Sequence, residues 1–200
     1  MDQSPETERP HEVEKGKSTG AEKKKNMRKS ILILARDIAI AVVIALIVSQ
    51  FIKPTIVNQH SMENTLHPRD YIFVARQAYT FGEVERGDIV VFRSNLEEDD
   101  GTKKNLIKRV IGLSGDTIEI KDGFVIVNGE GLYEPYTKDG TTAGVMDEIT
   151  VPEGTLFLMG DNRFLSRDSR DPAVGFVSKD ELLGKAIFRV FPFSDFGTLK

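Results

Sequence analysis

The pattern of apolar and polar positions divides the chain into three stretches. Residues 1–30 are polar and of mixed charge, with almost no large apolar side chains. Because such a segment buries too little apolar surface to offset its loss of conformational entropy, we expect a disordered tail there. Residues 31–52 are mostly apolar, and a helix over them would span about 33 Å, the thickness of a bilayer core. They are predicted to form a transmembrane helix.

The interior and flanks of this helix indicate an uncleaved anchor. Arg36 and Asp37 interrupt the apolar run, but Arg36 can extend its side chain back toward the lysines that precede the helix. A buried core helix would carry a polar face, which Ile38–Ile52 lacks, and a cleaved signal peptide would need a small-x-small site, which Ser49–Ile52 lacks. Since the positive charges precede the helix, we expect its N-terminus in the cytoplasm and residues 53–200 outside.

Short β-prone runs separated by Gly and Asp follow from residue 53 onward and predict a mainly β domain built on an antiparallel sheet. Asp122-Gly123 marks a tight hairpin. Ser178–Glu181 has capping-box spacing, which predicts a single short helix ended by Gly184. A polar surface loop is predicted over 95–104 and an irregular excursion over 129–150. The predicted strands are 70–76, 88–93, 105–112, 117–120, 124–128, 156–160 and 185–191.

Composition excludes several classes of protein. The formal net charge of −4 and the pI near 5.5 provide no basic field, so general nucleic-acid binding is not expected. The absence of cysteine excludes cysteine proteases, thiolate-bound zinc and disulfides. The three histidines form no His-Glu-x-x-His pair, so a catalytic zinc site is not predicted.

Two positions could carry hydrolytic chemistry. Ser61 follows the predicted anchor in a loop, where a serine is either a turn residue or a nucleophile. Lys108 shares one face of a predicted strand with Leu106 and Val110, so its amine either extends to solvent or is buried. Burial would lower the pKa of the amine and let its neutral form accept a hydroxyl proton. His60 is poorly placed as a base for its neighbour, because adjacent side chains on an extended backbone point to opposite faces.

A third polar cluster occupies residues 160–170. It reads as a charged surface turn or, less well, as a calcium loop, since it lacks the alternating acidic positions and terminal Glu of an EF-hand. Asp168 and Arg170 could form an ion pair that makes this loop rigid.

Four motifs follow one another behind the predicted anchor. They are Ser-Met-x-x-Thr-Leu at 61–66, Gly-Asp-Ile-Val-Val-Phe at 87–92, Lys-Arg-Val-Ile-Gly-x-x-Gly-Asp at 108–116 and Gly-Asp-Asn-Arg-x-x-Ser-x-Asp-Ser-Arg at 160–170. In this order they resemble the type I (leader) signal peptidases of the prokaryotic Ser/Lys kind. One motif alone would be weak, whereas four in order behind an anchor are specific. The resemblance covers roughly residues 30–193.

The resemblance implies a role for each candidate residue. Ser61 would be the nucleophile, Lys108 the general base and Ser166 the hydroxyl that orients the lysine amine. Met62 would line the small pocket beside the scissile bond, and the backbone N–H of Ser61 would form part of the oxyanion hole. Gln59 stands where some members provide a serine as second oxyanion donor, which leaves that donor unassigned. Structural support of the site is implied for Asp161, Asn162, Asp168 and Arg170.

The implied activity is that of a membrane-bound serine endopeptidase of the cell membrane. It would cleave N-terminal signal peptides from secreted preproteins after small residues, with an Ala-x-Ala-like preference, near the secretion translocon and without metal or cofactor. A self-cleaving repressor protease would carry a DNA-binding domain instead of the anchor, and a signal peptidase of the endoplasmic-reticulum type would have His in place of Lys108. The remaining alternative is a membrane-tethered, non-catalytic module that assists pilus or surface-protein assembly.

Overall fold

The computed structural model describes residues 20–199, and its first element is a long helix, α1, over Gly20–Phe51. The helix begins well before the predicted start, so residues 20–30 are helical and not part of the predicted tail. Residues 1–19, where the rest of the tail was predicted, lie outside the described residues. The chain divides into two compact units, with the boundary between Leu46 and Ile47.

The stretch Met27–Phe51 of α1 is long and apolar enough to cross a membrane, judged by length and composition. Its side chains are exposed, and Arg36 forms an ion pair with Asp37 at 2.8 Å. The helix ends three residues before Pro54, in agreement with the bias of a residue that precedes proline away from helical geometry. A strand follows immediately, and the last turn of α1, residues 47–51, already belongs to the second, β-rich unit.

Within the described residues, the second unit contains the last turn of α1, twelve strands, one short helix and two 3-10 turns. The elements up to the midpoint are β1 Ile52–Ile56, β2 Tyr71–Ala75, α2 Ala78–Phe81, β3 Ile89–Glu97, β4 Lys103–Gly112, β5 Thr117–Lys121 and β6 Phe124–Val127. The later strands are β7 Glu130–Gly131, β8 Met146–Thr150, β9 Thr155–Met159, β10 Val177–Ser178, β11 Leu182–Phe191 and β12 Gly197–Thr198. The 3-10 turns are Lys179–Glu181 and Phe193–Asp195.

The strands form two antiparallel sheets, as the alternating apolar pattern predicts. The larger sheet has eight strands in the order β1-β2-β11-β3-β4-β9-β10, with β12 paired to β11. The smaller sheet has the order β7-β6-β5-β8. The mainly β, antiparallel fold class is therefore confirmed for the body of the chain.

Three buried apolar clusters hold this unit together. The first lies around Ile72 and Val74 of β2, and the second around Val90 of β3 and Val110 of β4. The third combines residues of both sheets, among them Phe157 of β9. Burial of such side chains is the main stabilising contribution, and it fixes β4 between β3 and β9.

Three local predictions differ from the structure. The helix predicted after Ser178 is a 3-10 turn of three residues, although its capping box is present. Gly184 does not end a helix but lies within β11 at φ +148, where a Cβ would overlap the backbone of Ala75 in β2. The loop predicted over 95–104 is shorter, because β3 and β4 extend into it, and the excursion 129–150 contains β7 and β8.

Candidate active site

Ser61 lies in the connection between β1 and β2, in a turn whose backbone is held from two sides. The Met62 carbonyl accepts hydrogen bonds from the N–H groups of Thr65 at 2.9 Å and Leu66 at 2.7 Å. The Asn162 N–H donates to the Ser61 carbonyl at 3.1 Å. The side chain of Met62 is buried in the first apolar cluster and thereby anchors the turn to the core. Ser61 itself is 8% exposed.

Lys108 reaches this serine from the middle of β4. It is 1% exposed, and its amine lies 2.6 Å from the Ser61 Oγ and 3.1 Å from the Ile107 carbonyl. Leu106 and Val110, on the same face of β4, belong to the second apolar cluster. Of the two readings that the sequence leaves open, the structure therefore selects the buried amine.

Burial changes the acid–base properties of this amine. Desolvation lowers the pKa of Lys108 to about 8, because the charged form loses its hydration, while the carboxylates of Asp168 and Asp161 act in the opposite direction. The neutral amine is thus accessible close to physiological pH, and only the neutral form can take a proton from a hydroxyl.

The loop after β9 closes the site from the other side. The predicted ion pair is present, since the Arg170 guanidinium donates twice to Asp168 at 2.8 Å. Asp168 also accepts the N–H of Gly160 at 3.0 Å. Gly160 leaves no room for a side chain, because a Cβ there would overlap both the Ser166 hydroxyl and the Ser61 carbonyl. The ion pair therefore holds a loop that packs directly on the Ser61 backbone.

The resemblance implies that the Ser166 hydroxyl orients the Lys108 amine, but the two groups form no hydrogen bond. The Ser166 Oγ is buried and has no hydrogen-bond partner within residues 20–199. The Lys108 amine donates instead to Ser61 and to the Ile107 carbonyl. Ser166 thus offers a free buried hydroxyl against Gly160, next to the Ser61 carbonyl.

Asp161 and Asn162 are held by the strand and the turn that carry the two candidate groups. Arg109, which follows Lys108, donates to Asp161 at 2.9 Å and 2.7 Å in a pair that is almost fully buried. The side chain of Asn162 donates to the His60 carbonyl at 3.1 Å. The structure therefore brings both residues into the framework around the site.

His60 does not act on its neighbour in this geometry. Its ring Nδ1 lies 2.5 Å from a carboxylate oxygen of Glu63, and its side chain is largely exposed. Glu63 occupies an unspecified position of the motif at 61–66, and its second partner, Lys138, lies outside all four motifs. Their contact joins residues that are 75 positions apart, which a local pattern does not predict.

Two cavities open at Ser61, and Gln59 lines both of them. The first measures about 450 Å³ and is lined by the apolar side chains of Met62, Val91 and Ile107 and by polar and charged side chains that include Glu98 and Lys104. The second measures about 460 Å³ and is lined in part by Leu96, Leu106, Leu165 and Arg167. Among the described residues, no group of three or more His, Asp or Glu side chains could hold a metal ion. The arrangement is therefore a hydroxyl and a buried amine at the meeting point of two grooves.

Comparison with known proteins shows which family the chain resembles along its length. Residues 31–191 match the family model described as signal peptidase, peptidase S26. Signal peptidase I of Bacillus licheniformis is 38% identical over 186 residues, which cover 87% of this chain and 96% of that protein. Signal peptidase IB of Staphylococcus aureus (strain COL) is 36% identical over 188 residues, which cover 85% and 94%. A crystal structure of a signal peptidase I from Enterococcus faecalis V583 covers 52% of this chain and 97% of its own, at 32% identity and a TM-score of 0.43.

The family model spans most of the chain, and the relatives match it along nearly their whole lengths. The matched region contains both the buried amine and the serine beside it. The chain therefore belongs to the signal peptidase family, peptidase S26, as a serine endopeptidase of the type I signal peptidase kind.

Proposed function

We propose that this protein cleaves N-terminal signal peptides from secreted preproteins, with Ser61 as nucleophile and Lys108 as general base. The observation that carries the proposal is the 2.6 Å contact between the Lys108 amine and the Ser61 hydroxyl inside a buried site. With a pKa of about 8, roughly a tenth of the amine is neutral at pH 7. That fraction can accept the Ser61 proton as the hydroxyl oxygen attacks the scissile carbonyl.

The charge that develops on the carbonyl oxygen requires hydrogen-bond donors. The Ser61 N–H makes no hydrogen bond within residues 20–199, so it is free to donate to that oxygen. Lys108, now protonated, then donates its proton to the leaving amine of the mature protein. In the second half of the reaction it activates water, which releases the signal peptide from the Ser61 ester.

The preference for small residues at the cleavage site is proposed from the cavity beside Ser61. Met62 is fixed in the first apolar cluster, and Val91 and Ile107 add an apolar wall. Where these apolar side chains meet the substrate, each extra methylene is disfavoured modestly and a charged side chain more strongly, because it would lose hydration. Glu98 and Lys104 also line the cavity. The Ala-x-Ala-like preference is proposed from the family to which the chain belongs, with these apolar side chains beside the scissile bond.

Tethering by α1 is proposed as the means by which the site meets its substrates. Lys24, Lys25, Arg28 and Lys29 precede the apolar part of the helix, so the positive-inside rule places that end in the cytoplasm. Residues 53–200 would then lie outside, where signal peptides emerge from the translocon. The lipid bilayer and the translocon are in this way proposed neighbours of the enzyme.

Cleavage of a preprotein by the detergent-solubilised chain tests the proposal. Wild type is expected to release the mature protein, whereas Ser61→Ala and Lys108→Ala lose at least about a thousandfold in kcat. If both variants cleave like wild type, the Ser/Lys pair is wrong. If wild type binds the preprotein without cutting it, the chain is a binding module of the kind that assists surface-protein assembly.

A further inference from the structure

A short segment of the excursion between β7 and β8 contacts the active-site framework at three points. Within residues 134–138, the side chains of Glu134, Tyr136 and Lys138 each contact a different part of that framework. In the same order, their partners are Arg163, Arg109 and Glu63. The first two contacts hold the loop after β9 and the strand of the general base, and the third reaches the turn of the nucleophile.

The third contact centres on the carboxylate of Glu63. It lies 2.5 Å from the His60 ring nitrogen, 2.7 Å from the Lys138 amine and 3.4 Å from the side-chain amide of Asn162. Hydrogen bonds from Lys138 first, and then from His60, lower the pKa of Glu63 to about 2. This carboxylate is therefore ionised wherever the enzyme works, and it joins three separate segments.

The joined segments enclose the nucleophile. Ser61 stands between His60 and Glu63, and the Glu63 N–H donates to the His60 carbonyl at 3.3 Å. On the inner side, the Ser61 hydroxyl meets the Lys108 amine. The backbone N–H of Lys138 also donates to the Asp161 carbonyl at 3.0 Å, so the segment is fixed where the contact is made.

We propose that Lys138 is a positioning residue for catalysis, which holds the Ser61 turn through the carboxylate of Glu63. It touches neither Ser61 nor the Lys108 amine, and its effect is on where the Ser61 hydroxyl and N–H point. The proposal rests on Ser61 being the nucleophile. It assigns to the excursion, which carries none of the family motifs, the task of orienting the reacting serine.

The exposure of the contact separates a positioning role from a structural one. The side chain of Lys138 is 43% exposed and that of Glu63 is 15% exposed. An ion pair of such exposure contributes little to global stability. A small displacement of a reacting group, by contrast, can reduce the rate by about a hundredfold. Loss of the contact should therefore lower kcat far more than it lowers the melting temperature.

The experiment uses the full chain in detergent with a preprotein substrate. Lys138→Met is expected to lower kcat by about 5- to 20-fold with KM and melting temperature nearly unchanged, whereas Lys138→Arg stays within about twofold of wild type. Lys179→Met, which removes a charge from an exposed 3-10 turn, is the matched control and should equal wild type. A kcat of Lys138→Met equal to that of wild type overturns the proposal, and so does a loss that appears in KM alone.

A second variant tests whether Lys138 acts through Glu63. Glu63→Gln should lose at least as much kcat as Lys138→Met, and the double variant should be no worse than Glu63→Gln, because the two residues act as one unit. Additive losses would contradict the proposal. Ser61→Ala in the same assay separates the two hypotheses. If it is inactive while Lys138→Met equals wild type, only the positioning role is wrong; if it cleaves normally, the nucleophile assignment fails.

Discussion

Lys108 and Arg109 are neighbours in β4, and each is 1% exposed, yet they face opposite sides of the strand and have opposite electrostatic environments. The Arg109 guanidinium is neutralised by Asp161 in a two-fold hydrogen-bonded pair and is covered by the ring of Tyr136 at 4.0 Å. The Lys108 amine has no carboxylate in contact within the described chain, and its hydrogen-bond partners are uncharged. Charge is therefore kept on one face of the strand and discouraged on the other.

The pH dependence of activity should report Lys108. Because burial lowers its pKa to about 8, the base form increases as pH rises through that value. We expect kcat/KM to rise about tenfold per pH unit below this pKa and to level off above it. A plateau that begins only near pH 10, where a solvated lysine titrates, would contradict the assignment.

Stability should respond to the same group with a defined sign. The pKa of Lys108 is lower in the folded chain than the ordinary lysine value of 10.5, so between about pH 8 and pH 10.5 the unfolded chain binds more protons and stability rises with pH. At neutral pH the buried amine therefore lowers the free energy of unfolding. Lys108→Met should therefore increase the free energy of unfolding by about 1–3 kcal/mol while abolishing cleavage. Thermal melting at pH 7 and pH 10 measures this, and the gain should shrink at the higher pH.

Ser166→Ala should affect the rate of cleavage without lowering the stability of the fold. The Ser166 hydroxyl is buried without a partner among residues 20–199, so its removal should leave the melting temperature unchanged or slightly raised. If the hydroxyl orients the Lys108 amine during the reaction, kcat should fall about 10- to 100-fold. Equal kcat for the variant and wild type would show that Ser166 has no part in the chemistry.

Gly160→Ala should be among the most damaging single changes in the chain. A Cβ at this position would overlap both the Ser166 hydroxyl and the Ser61 carbonyl, so the serine turn or the loop must move. We expect loss of at least about a hundredfold in kcat, since a displacement of about 1 Å is enough for such an effect. Gly197→Ala, at a site with open space around it, is the matched control. Full activity of Gly160→Ala would show that the turn and loop adapt freely.

Removal of one partner from the Arg109–Asp161 pair should destabilise the fold and not merely lower the rate of cleavage. Asp161→Asn leaves a buried guanidinium without its counter-charge, which typically lowers the free energy of unfolding by about 3–5 kcal/mol. The exposed Arg167–Asp171 pair provides the comparison, because Asp171→Asn should change stability by no more than about 1 kcal/mol. Denaturant or thermal unfolding of the two variants side by side measures the difference, and similar losses would contradict the burial argument.

The sequence predicts those features that depend on local periodicity. Alternation along 105–112 placed Lys108 on an apolar face, and the strand and its burial agree with that pattern. The sequence did not predict the role of Gly184, since a close approach between β11 and β2 is a tertiary contact. It also did not predict the contacts of residues 134–138, because their partners are distant along the chain and the segment has no periodic pattern of its own. The resemblance placed the Ser166 hydroxyl in the site, but it did not predict that this hydroxyl lacks a hydrogen-bond partner among residues 20–199.

The direct passage from α1 into β1 limits how far Ser61 can lie from the end of the helix. β1 begins at Ile52, immediately after the last residue of the helix, and Ser61 follows only a few residues beyond the end of that strand. Even a fully extended chain between Phe51 and Ser61 measures no more than about 35 Å. If α1 is embedded in the bilayer and Ser61 is the nucleophile, as proposed, the reacting serine lies no more than this chain length from the end of the helix, and it can cut only peptide bonds within that distance of the membrane. Short sequences of small residues that resemble a cleavage site occur in many polypeptides. A limit on the distance from the membrane would protect secreted proteins that contain such sequences once they have diffused away.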